Sequence, residues 1–279
     1  MKDKKNYFGH RISKSLGQHF LEDDFFIKNI INFINPKPKE IMFEIGPGMG
    51  ALTKPILLLN DNLSVIEIDK NLVNFLKKNI VNKRFNIFLQ DVLKFNFRTF
   101  FSENKKIRIF GNLPFNISNK IIFYLMIFKD IFFDLHFLLQ KEVVQRLCAI
   151  PDTKEYGRLS VLIQYHFNVT SLFDIPPTSF FPLPKVHSSF VRLIPNKFPP
   201  ILLRETYYLN SITKLAFSQR RKIIKNSLSG LFSENEFLKM NISPFLRAEN
   251  LNLLDYCRLS KYLSSKRSCL HTNEQKNEY

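Results

Sequence analysis

The fold is decided by the stretch Ile41–Gly50, which carries the sequence Ile-Met-Phe-Glu-Ile-Gly-Pro-Gly-Met-Gly. The pattern predicts an apolar strand that runs into three glycines at alternate positions. Such glycines let the backbone approach a ligand closely before Ala51–Leu59 becomes helical. The spacing G-x-G-x-G differs from the G-x-G-x-x-G of dinucleotide-binding folds, which disfavours a nicotinamide dehydrogenase.

Two further predicted strands end near an acidic residue. Ser64–Asp69 contains Glu67, which lies about 20 residues beyond the glycines, where an acid can hold both hydroxyls of a ribose. The strand Asn86–Leu89 is followed closely by Asp91. A carboxylate at that place can accept a hydrogen bond from an adenine amine.

A turn with the sequence Asn112-Leu113-Pro114-Phe115 follows another strand, which Gly111 is expected to end. Pro114 biases Leu113 to an extended backbone and so keeps its carbonyl out of any helix. Asn112 adds a side-chain carbonyl, and Phe115 adds a flat aromatic face. Two acceptors beside an aromatic ring suit an exocyclic amine on a planar base. The same residues also suit an ordinary strand-to-helix turn with Phe115 in the core.

These segments belong to a region, Ile41–Leu138, in which strands and helices alternate. Alternation of this kind predicts a parallel sheet with right-handed crossovers. Ligands of such sheets bind at the carboxyl ends of the strands. We expect four of the residues above at such ends: Gly46, Glu67, Asp91 and Asn112. The sequence therefore predicts one ligand site at one edge of the sheet.

In this order the motifs resemble class I S-adenosylmethionine-dependent methyltransferases that modify adenine N6. From about Ser13 to Leu263 the chain is similar to the ribosomal RNA small-subunit adenine N6-dimethyltransferase family. The motifs that carry this similarity are Leu16–Leu21, Gly111–Ser118, Leu139–Val144, Tyr156–Ser160 and Phe217–Leu228. The resemblance implies an α/β fold, with a mostly parallel, Rossmann-like sheet of seven strands and a small all-helical C-terminal domain.

The resemblance also implies roles for individual residues. S-adenosylmethionine, the expected methyl donor, would be held by His19, Leu21, Gly46, Glu67, Asp91 and Asn112. The catalytic turn would be Asn112, Leu113, Pro114 and Phe115, and no metal is expected. His19 replaces an Asn of the family motif, although a His can still donate a hydrogen bond through one ring nitrogen. Phe115 stands where the family usually has Tyr.

Composition points to a polyanionic partner. The 279 residues carry a formal net charge of +17 with a pI of about 9.8, which is typical of proteins that bind RNA or the ribosome. Part of this charge is also what AT-rich codons would produce. Three scattered cysteines and the absence of a signal peptide or spanning segment predict a cytoplasmic protein, which we expect to be monomeric and unattached to membranes.

Four regions are predicted along the chain: a basic tail over 1–14, a methyltransferase domain over 15–195, a helical RNA-binding domain over 201–264 and a disordered tail over 265–279. The third region contains a predicted helix, Tyr207–Phe232, whose basic residues would bind rRNA phosphates. They are Arg220, Arg221, Lys222 and Lys225. A solvated surface is the alternative for this face.

By resemblance, the enzyme dimethylates two adjacent adenosines in the 3′-terminal hairpin loop of small-subunit (16S) rRNA and takes part in ribosome biogenesis. A large-subunit rRNA adenine methyltransferase and a non-catalytic RNA-binding relative are the alternatives. The basic segment Ser218–Leu228 and the motif Gly-Pro-Gly-Met-Gly-Ala-Leu-Thr favour the small-subunit family. Intact Glu67, Asp91 and Asn112 argue against loss of catalysis.

Overall fold

The structure is a computed structural model and describes residues 6–7, 10–13, 16–82, 85–102 and 105–274. By its internal contacts the chain divides into two compact units. The first comprises residues up to 144 together with 169–195, and the second comprises 145–168 together with the chain from 196 onward. Residues 145–168, which the sequence analysis includes in the predicted methyltransferase domain, thus fall in the second unit. The helix Arg158–His166 packs against the helices of the second unit, which groups that segment with them.

The secondary structure is numbered in chain order. The strands are β1 Asn6–Tyr7, β2 His10–Arg11, β3 Phe20–Leu21, β4 Ile41–Ile45, β5 Leu63–Glu67, β6 Asn86–Leu89, β7 Ile107–Asn112, β8 Phe132–Gln140, β9 Phe167–Ile175, β10 Phe180–Phe181 and β11 Ser188–Pro195. The α-helices are α1 Asp24–Ile34, α2 Thr53–Leu57, α3 Lys70–Asn79, α4 Ser118–Leu125, α5 Lys141–Cys148, α6 Arg158–His166, α7 Leu203–Ser218, α8 Ile224–Ser227, α9 Glu234–Lys239 and α10 Leu253–Glu274. No helix in the described part of the chain is long and apolar enough to cross a membrane.

Seven strands form the central sheet in the order β6-β5-β4-β7-β8-β11-β9. The pairs from β6 to β8 are parallel, and β11 runs antiparallel to β8. The predicted mostly parallel, seven-stranded sheet is therefore confirmed. Because β4 to β7 are parallel, their carboxyl ends meet at one edge, and Gly46, Glu67, Asp91 and Asn112 lie at or just beyond those ends.

Gly111 does not end its strand, contrary to the prediction. β7 continues through Gly111 to Asn112, beside the end of β4. A Cβ atom at position 111 would lie 2.3 Å from the Ile45 carbonyl oxygen, which no side chain can tolerate. Glycine here permits a close strand-to-strand approach, and the strand thereby delivers Asn112 to the sheet edge.

A buried ion pair joins the sheet to the end of α1. The Arg108 guanidinium donates to both carboxylate oxygens of Asp134, at 2.8 and 2.7 Å, and to Glu40 at 2.9 Å. It also donates to the carbonyls of Ile34 at 2.6 Å and Asn35 at 3.2 Å. These carbonyls belong to the last turn of α1, where no intrahelical donor reaches them. Arg108 thus closes the helix end and fixes α1 to β7 and β8.

Two predictions for the C-terminal part of the chain are corrected. The helix predicted over Tyr207–Phe232 is broken, because α7 ends at Ser218 and α8 begins only at Ile224. The predicted disordered tail is helical up to Glu274, within α10, and residues 275–279 lie outside the described residues.

Within the predicted basic N-terminal tail, β1 pairs with β2. Residues 1–5, 8–9 and 14 of this predicted tail lie outside the described residues.

Candidate active site

A cavity of about 940 Å³ lies at the carboxyl ends of β4, β5 and β7, within the first unit. This is the size range of small-molecule and cofactor sites. Most of the predicted site residues line it, namely His19, Leu21, Gly46, Glu67, Asn112, Leu113, Pro114 and Phe115. The sheet edge thus brings the glycine loop, one acidic strand end and the Asn-Leu-Pro-Phe turn around one space.

The glycine loop forms the floor of this cavity. The backbone at Gly48 has a φ of +57°, and an added Cβ would lie 3.0 Å from the Phe20 ring. Only glycine fits this left-handed position without strain. The Gly46 N–H donates to the Ile66 carbonyl at 3.0 Å, so the loop is tied to β5 and held close to Glu67.

Glu67 is the last residue of β5, and only 6% of it is exposed. Burial raises the pKa of its carboxyl to about 7, and backbone N–H groups of Asp69, Ile68 and Gly48 oppose that rise. The Asp69 N–H, for example, donates to Oε1 at 2.9 Å. The carboxyl group is therefore oriented by the backbone. With a pKa of about 7 it is only partly ionised at neutral pH, and hydroxyl donors from a ligand would favour the charged form.

Glu44 is a cavity residue that the sequence analysis did not identify. It is 2% exposed, and its Oε2 accepts a hydrogen bond from the Thr53 hydroxyl at 2.5 Å. Burial raises the pKa of this carboxyl to about 8, a rise that the Thr53 hydrogen bond opposes and the nearby Glu67 charge reinforces. An acid inside the otherwise apolar strand Ile41–Ile45 was the available signal. A buried carboxyl in a cavity wall suits a positively charged ligand.

The turn after β7 presents two hydrogen-bond acceptors. The Asn112 side-chain amide donates to the His19 carbonyl at 2.8 Å, which fixes the amide plane and leaves Oδ1 as an acceptor. The Leu113 N–H is bonded to the Leu138 carbonyl at 3.2 Å. Among the described residues, nothing donates to the Leu113 carbonyl. Asn112 and Leu113 therefore have the acceptors that the sequence predicted.

His19 contacts the aromatic ring of that turn. Its imidazole stacks on Phe115, with ring centroids 5.5 Å apart and planes inclined by 27°. Its Nδ1 lies 2.7 Å from the Pro182 carbonyl oxygen, and because a carbonyl only accepts, Nδ1 carries the proton. His19 lines the cavity as predicted, but its ring supports Phe115, a contact that the sequence did not indicate.

Asp91 is placed differently from the other predicted cofactor residues. Its carboxylate accepts from the Leu93 N–H at 2.9 Å and caps the 3-10 turn Val92–Lys94. It is not among the described residues that line the cavity. Its contact with an adenine amine therefore stays a prediction.

The four predicted RNA-binding residues do not share one helical face, because three of them lie in the helix break at 219–223 and only Lys225 is in a helix, α8. Arg220 pairs with Glu249 at 2.6 Å and Lys225 pairs with Glu234 at 3.0 Å. Arg221 and Lys222 are exposed, and neither has an acidic partner in the part of the chain that the structure describes. The described residues also contain no group of three or more His, Cys, Asp or Glu that could hold a metal ion.

Comparison with known proteins gives consistent matches. A family model described as "Ribosomal RNA adenine dimethylase" matches residues 9–265. A "Ribosomal RNA small subunit methyltransferase A" of Actinobacillus pleuropneumoniae serotype 3 is 45% identical over 277 residues, covering 97% of this chain and 96% of that protein. The protein of the same name from Buchnera aphidicola subsp. Baizongia pistaciae is 50% identical over 261 residues, covering 93% and 99%. A dimethyladenosine transferase from Plasmodium falciparum has the same fold, with a TM-score of 0.77 at 23% identity over 88% of this chain and 98% of that one.

Proposed function

The chain belongs to the ribosomal RNA adenine dimethylase family, and we propose that it dimethylates the N6 amines of two adjacent adenosines in small-subunit rRNA. The methyl donor is S-adenosylmethionine, and the target adenosines lie in the 3′-terminal hairpin loop. One observation carries the proposal. The buried carboxylate of Glu67 and the two acceptors of the Asn112–Phe115 turn line the same cavity.

The cavity residues fit the methyl donor. Glu67 can accept hydrogen bonds from both ribose hydroxyls, and the glycine loop leaves room for the ligand beside the backbone. Glu44 is a buried carboxyl whose ionisation a positively charged ligand would favour. S-adenosylmethionine carries such charge on its sulfonium and its ammonium group, and its sulfonium supplies an electrophilic methyl group.

The chain's own contribution to the reaction is to position the target amine. An adenine amine is a weak nucleophile because its lone pair is delocalised into the ring. Hydrogen bonds from this amine to Asn112 Oδ1 and the Leu113 carbonyl would turn the lone pair toward the methyl group. Phe115 would hold the base by stacking, with His19 behind it. Positioning and preorganised acceptors account for such catalysis without a covalent enzyme intermediate, and the released proton passes to water.

The proposed substrate follows from the same geometry. A base must leave its stack to enter a cavity of this kind, and an adenosine in a loop does so at lower cost than a paired one. The strong positive charge of the chain supports binding to rRNA and to the precursor of the small subunit, and hence a place in ribosome biogenesis. We further propose that the protein acts in the cytoplasm and as a monomer.

Large-subunit rRNA is the alternative substrate within this fold. The relatives at 45–50% identity are named for the small subunit, which favours small-subunit rRNA for this chain. The decisive experiment incubates methyl-free small subunits and, in parallel, large subunits with the protein and S-adenosylmethionine and analyses both rRNAs by mass spectrometry. Two adjacent dimethylated adenosines in the 3′-terminal hairpin are expected. Methylation of large-subunit rRNA alone, or no methylation of either rRNA, would refute the proposed function.

A further inference from the structure

A short backbone contact in the second unit places two distant segments side by side. Ile223 and Arg247 form an isolated antiparallel bridge. Beyond it, the Lys225 N–H donates to the Pro244 carbonyl at 3.1 Å. The segment 244–247 therefore runs along the start of α8, next to the basic residues that precede this helix.

Phe245 is held in an exposed position by this contact. It is 60% exposed, although it lies between a buried Pro244 and a half-buried Leu246. The Lys225 ammonium lies 4.5 Å from the centroid of the Phe245 ring and is itself fixed by Glu234 at 3.0 Å. A cation at this distance is attracted to the face of the ring and restricts its orientation. One face of Phe245 is thus covered by Lys225, and most of the remaining ring is open to solvent.

Three further cations lie on the two bridged segments, close to Phe245 along the chain or across the bridge. Arg221 and Lys222 directly precede the bridge, and Arg247 forms its other side. All three are exposed, and in the described ranges none of them has an acidic partner within ion-pair distance. An exposed aromatic ring among free cations is the combination with which proteins bind unpaired nucleotides, since the ring stacks on a base while the cations bind phosphates.

We propose that Phe245 is a stacking platform for an unpaired base of the rRNA substrate. Arg221, Lys222 and Arg247 bind the adjoining phosphates, and Lys225 fixes the ring so that the base stacks on the open face. This inference rests on the proposed function, because it assumes that rRNA is the partner. Every base has an aromatic face, so the platform adds affinity for single-stranded rRNA and does not select the methylated adenosine.

The test compares substitutions that separate stacking from charge. Phe245→Leu keeps an apolar side chain but removes the flat ring, and we expect binding to small-subunit rRNA to weaken about 5-fold or more. Phe245→Trp should retain it. Phe198→Leu is the matched control, because Phe198 is a 92% exposed aromatic residue of the same unit that lies outside the cluster. The loss in Phe245→Leu should be equal at all salt concentrations, whereas Arg221→Gln should flatten the salt dependence by about one counterion.

Binding is measured both to protein-free small-subunit rRNA and to intact methyl-free subunits, with thermal melting as a check of folding. Equal weakening on both ligands supports base stacking. Weakening confined to intact subunits would assign Phe245 to a ribosomal protein and overturn the proposal. Unchanged binding of a folded Phe245→Leu, while the wild type binds and methylates, overturns the proposal alone. A wild type that neither binds nor methylates small-subunit rRNA overturns the proposed function and the stacking inference with it.

Discussion

Cofactor affinity should depend on pH through Glu67, because burial places the pKa of this carboxyl at about 7 in the protein without ligand. Ribose hydroxyls donate hydrogen bonds, and they favour the ionised carboxylate. Binding therefore requires the charged form, and the apparent association constant scales with the ionised fraction. With a pKa near 7, that fraction falls about tenfold from pH 8 to pH 6. The affinity of the wild type should fall by at least this factor.

Glu67→Gln removes both the charge and its titration. The amide should bind S-adenosylmethionine more than about tenfold more weakly at pH 8, because a hydrogen bond to a charged group contributes ~1.5–3 kcal/mol. It should also lose the tenfold contribution of Glu67 to the change between pH 6 and pH 8, and keep only the contribution of Glu44, whose pKa is about 8. Glu44→Gln is the matched control, since Glu44 is the other buried carboxyl of the cavity and has a pKa of about 8. It should retain the titration near pH 7.

Isothermal titration calorimetry measures both effects, and buffers of different ionisation enthalpy report the proton released on binding. Equal wild-type affinity at pH 6 and pH 8, or equal affinity of Glu67→Gln and wild type, would refute the reasoning. Stability provides an independent check. The pKa of Glu67 is raised from 4.5 to about 7 in the folded protein, so the free energy of unfolding falls as pH rises between these values, by ~3 kcal/mol. Without ligand, Glu67→Gln should therefore melt at a higher temperature than the wild type at pH 8.

Three further outcomes are expected. Asn112→Ala should lower single-turnover methylation of methyl-free subunits by about 10²-fold with unchanged melting, as loss of one preorganised contact does; full activity would contradict the mechanism. His19→Ala removes the ring that stacks on Phe115, so methylation should fall about 2- to 12-fold while calorimetric affinity for the cofactor is retained; the reverse pattern would assign the ring to the cofactor. Arg108→Ala leaves Asp134 buried without its partner, and chemical denaturation should show a loss of ~3–5 kcal/mol; a loss below about 1 kcal/mol would contradict this account.

The sequence was sufficient for the sheet and for its ligand edge. β4, β5 and β7 are short, largely apolar runs. At or just after the end of each stands a residue suited to ligand binding. Because parallel strands end at a common edge, order along the chain translates directly into proximity, as Gly46, Glu67 and Asn112 show. Local pattern and topology agree here, which is why motif order predicted the cavity.

Contacts between distant segments were not predictable in this way. Glu44 has no periodicity that marks it as a site residue, since burial in the folded protein is what raises its pKa, and its hydrogen bond with Thr53 also forms only there. The helix predicted through 207–232 has a suitable apolar pattern, but the chain turns at 219–223, and its backbone there pairs with residues near 247. Arg220 is likewise paired with Glu249, a partner 29 positions away that local spacing does not reveal.

One segment, Gln18–Leu21, contacts both halves of the candidate site. The Gln18 amide donates to Asp69 at 2.9 Å beside Glu67, and the Phe20 ring packs against the glycine loop at Gly48. The His19 carbonyl accepts from Asn112, and its ring stacks on Phe115. A shift of the backbone at His19 would therefore move the Asn112 amide and the ring that stacks on Phe115 together. Substitutions at His19, Asn112 and Phe115 share these contacts, so their effects on methylation should not add, and double-mutant cycles should give coupling energies of about 0.5 kcal/mol or more. We therefore expect the position of this segment to align the proposed cofactor and base contacts for transfer.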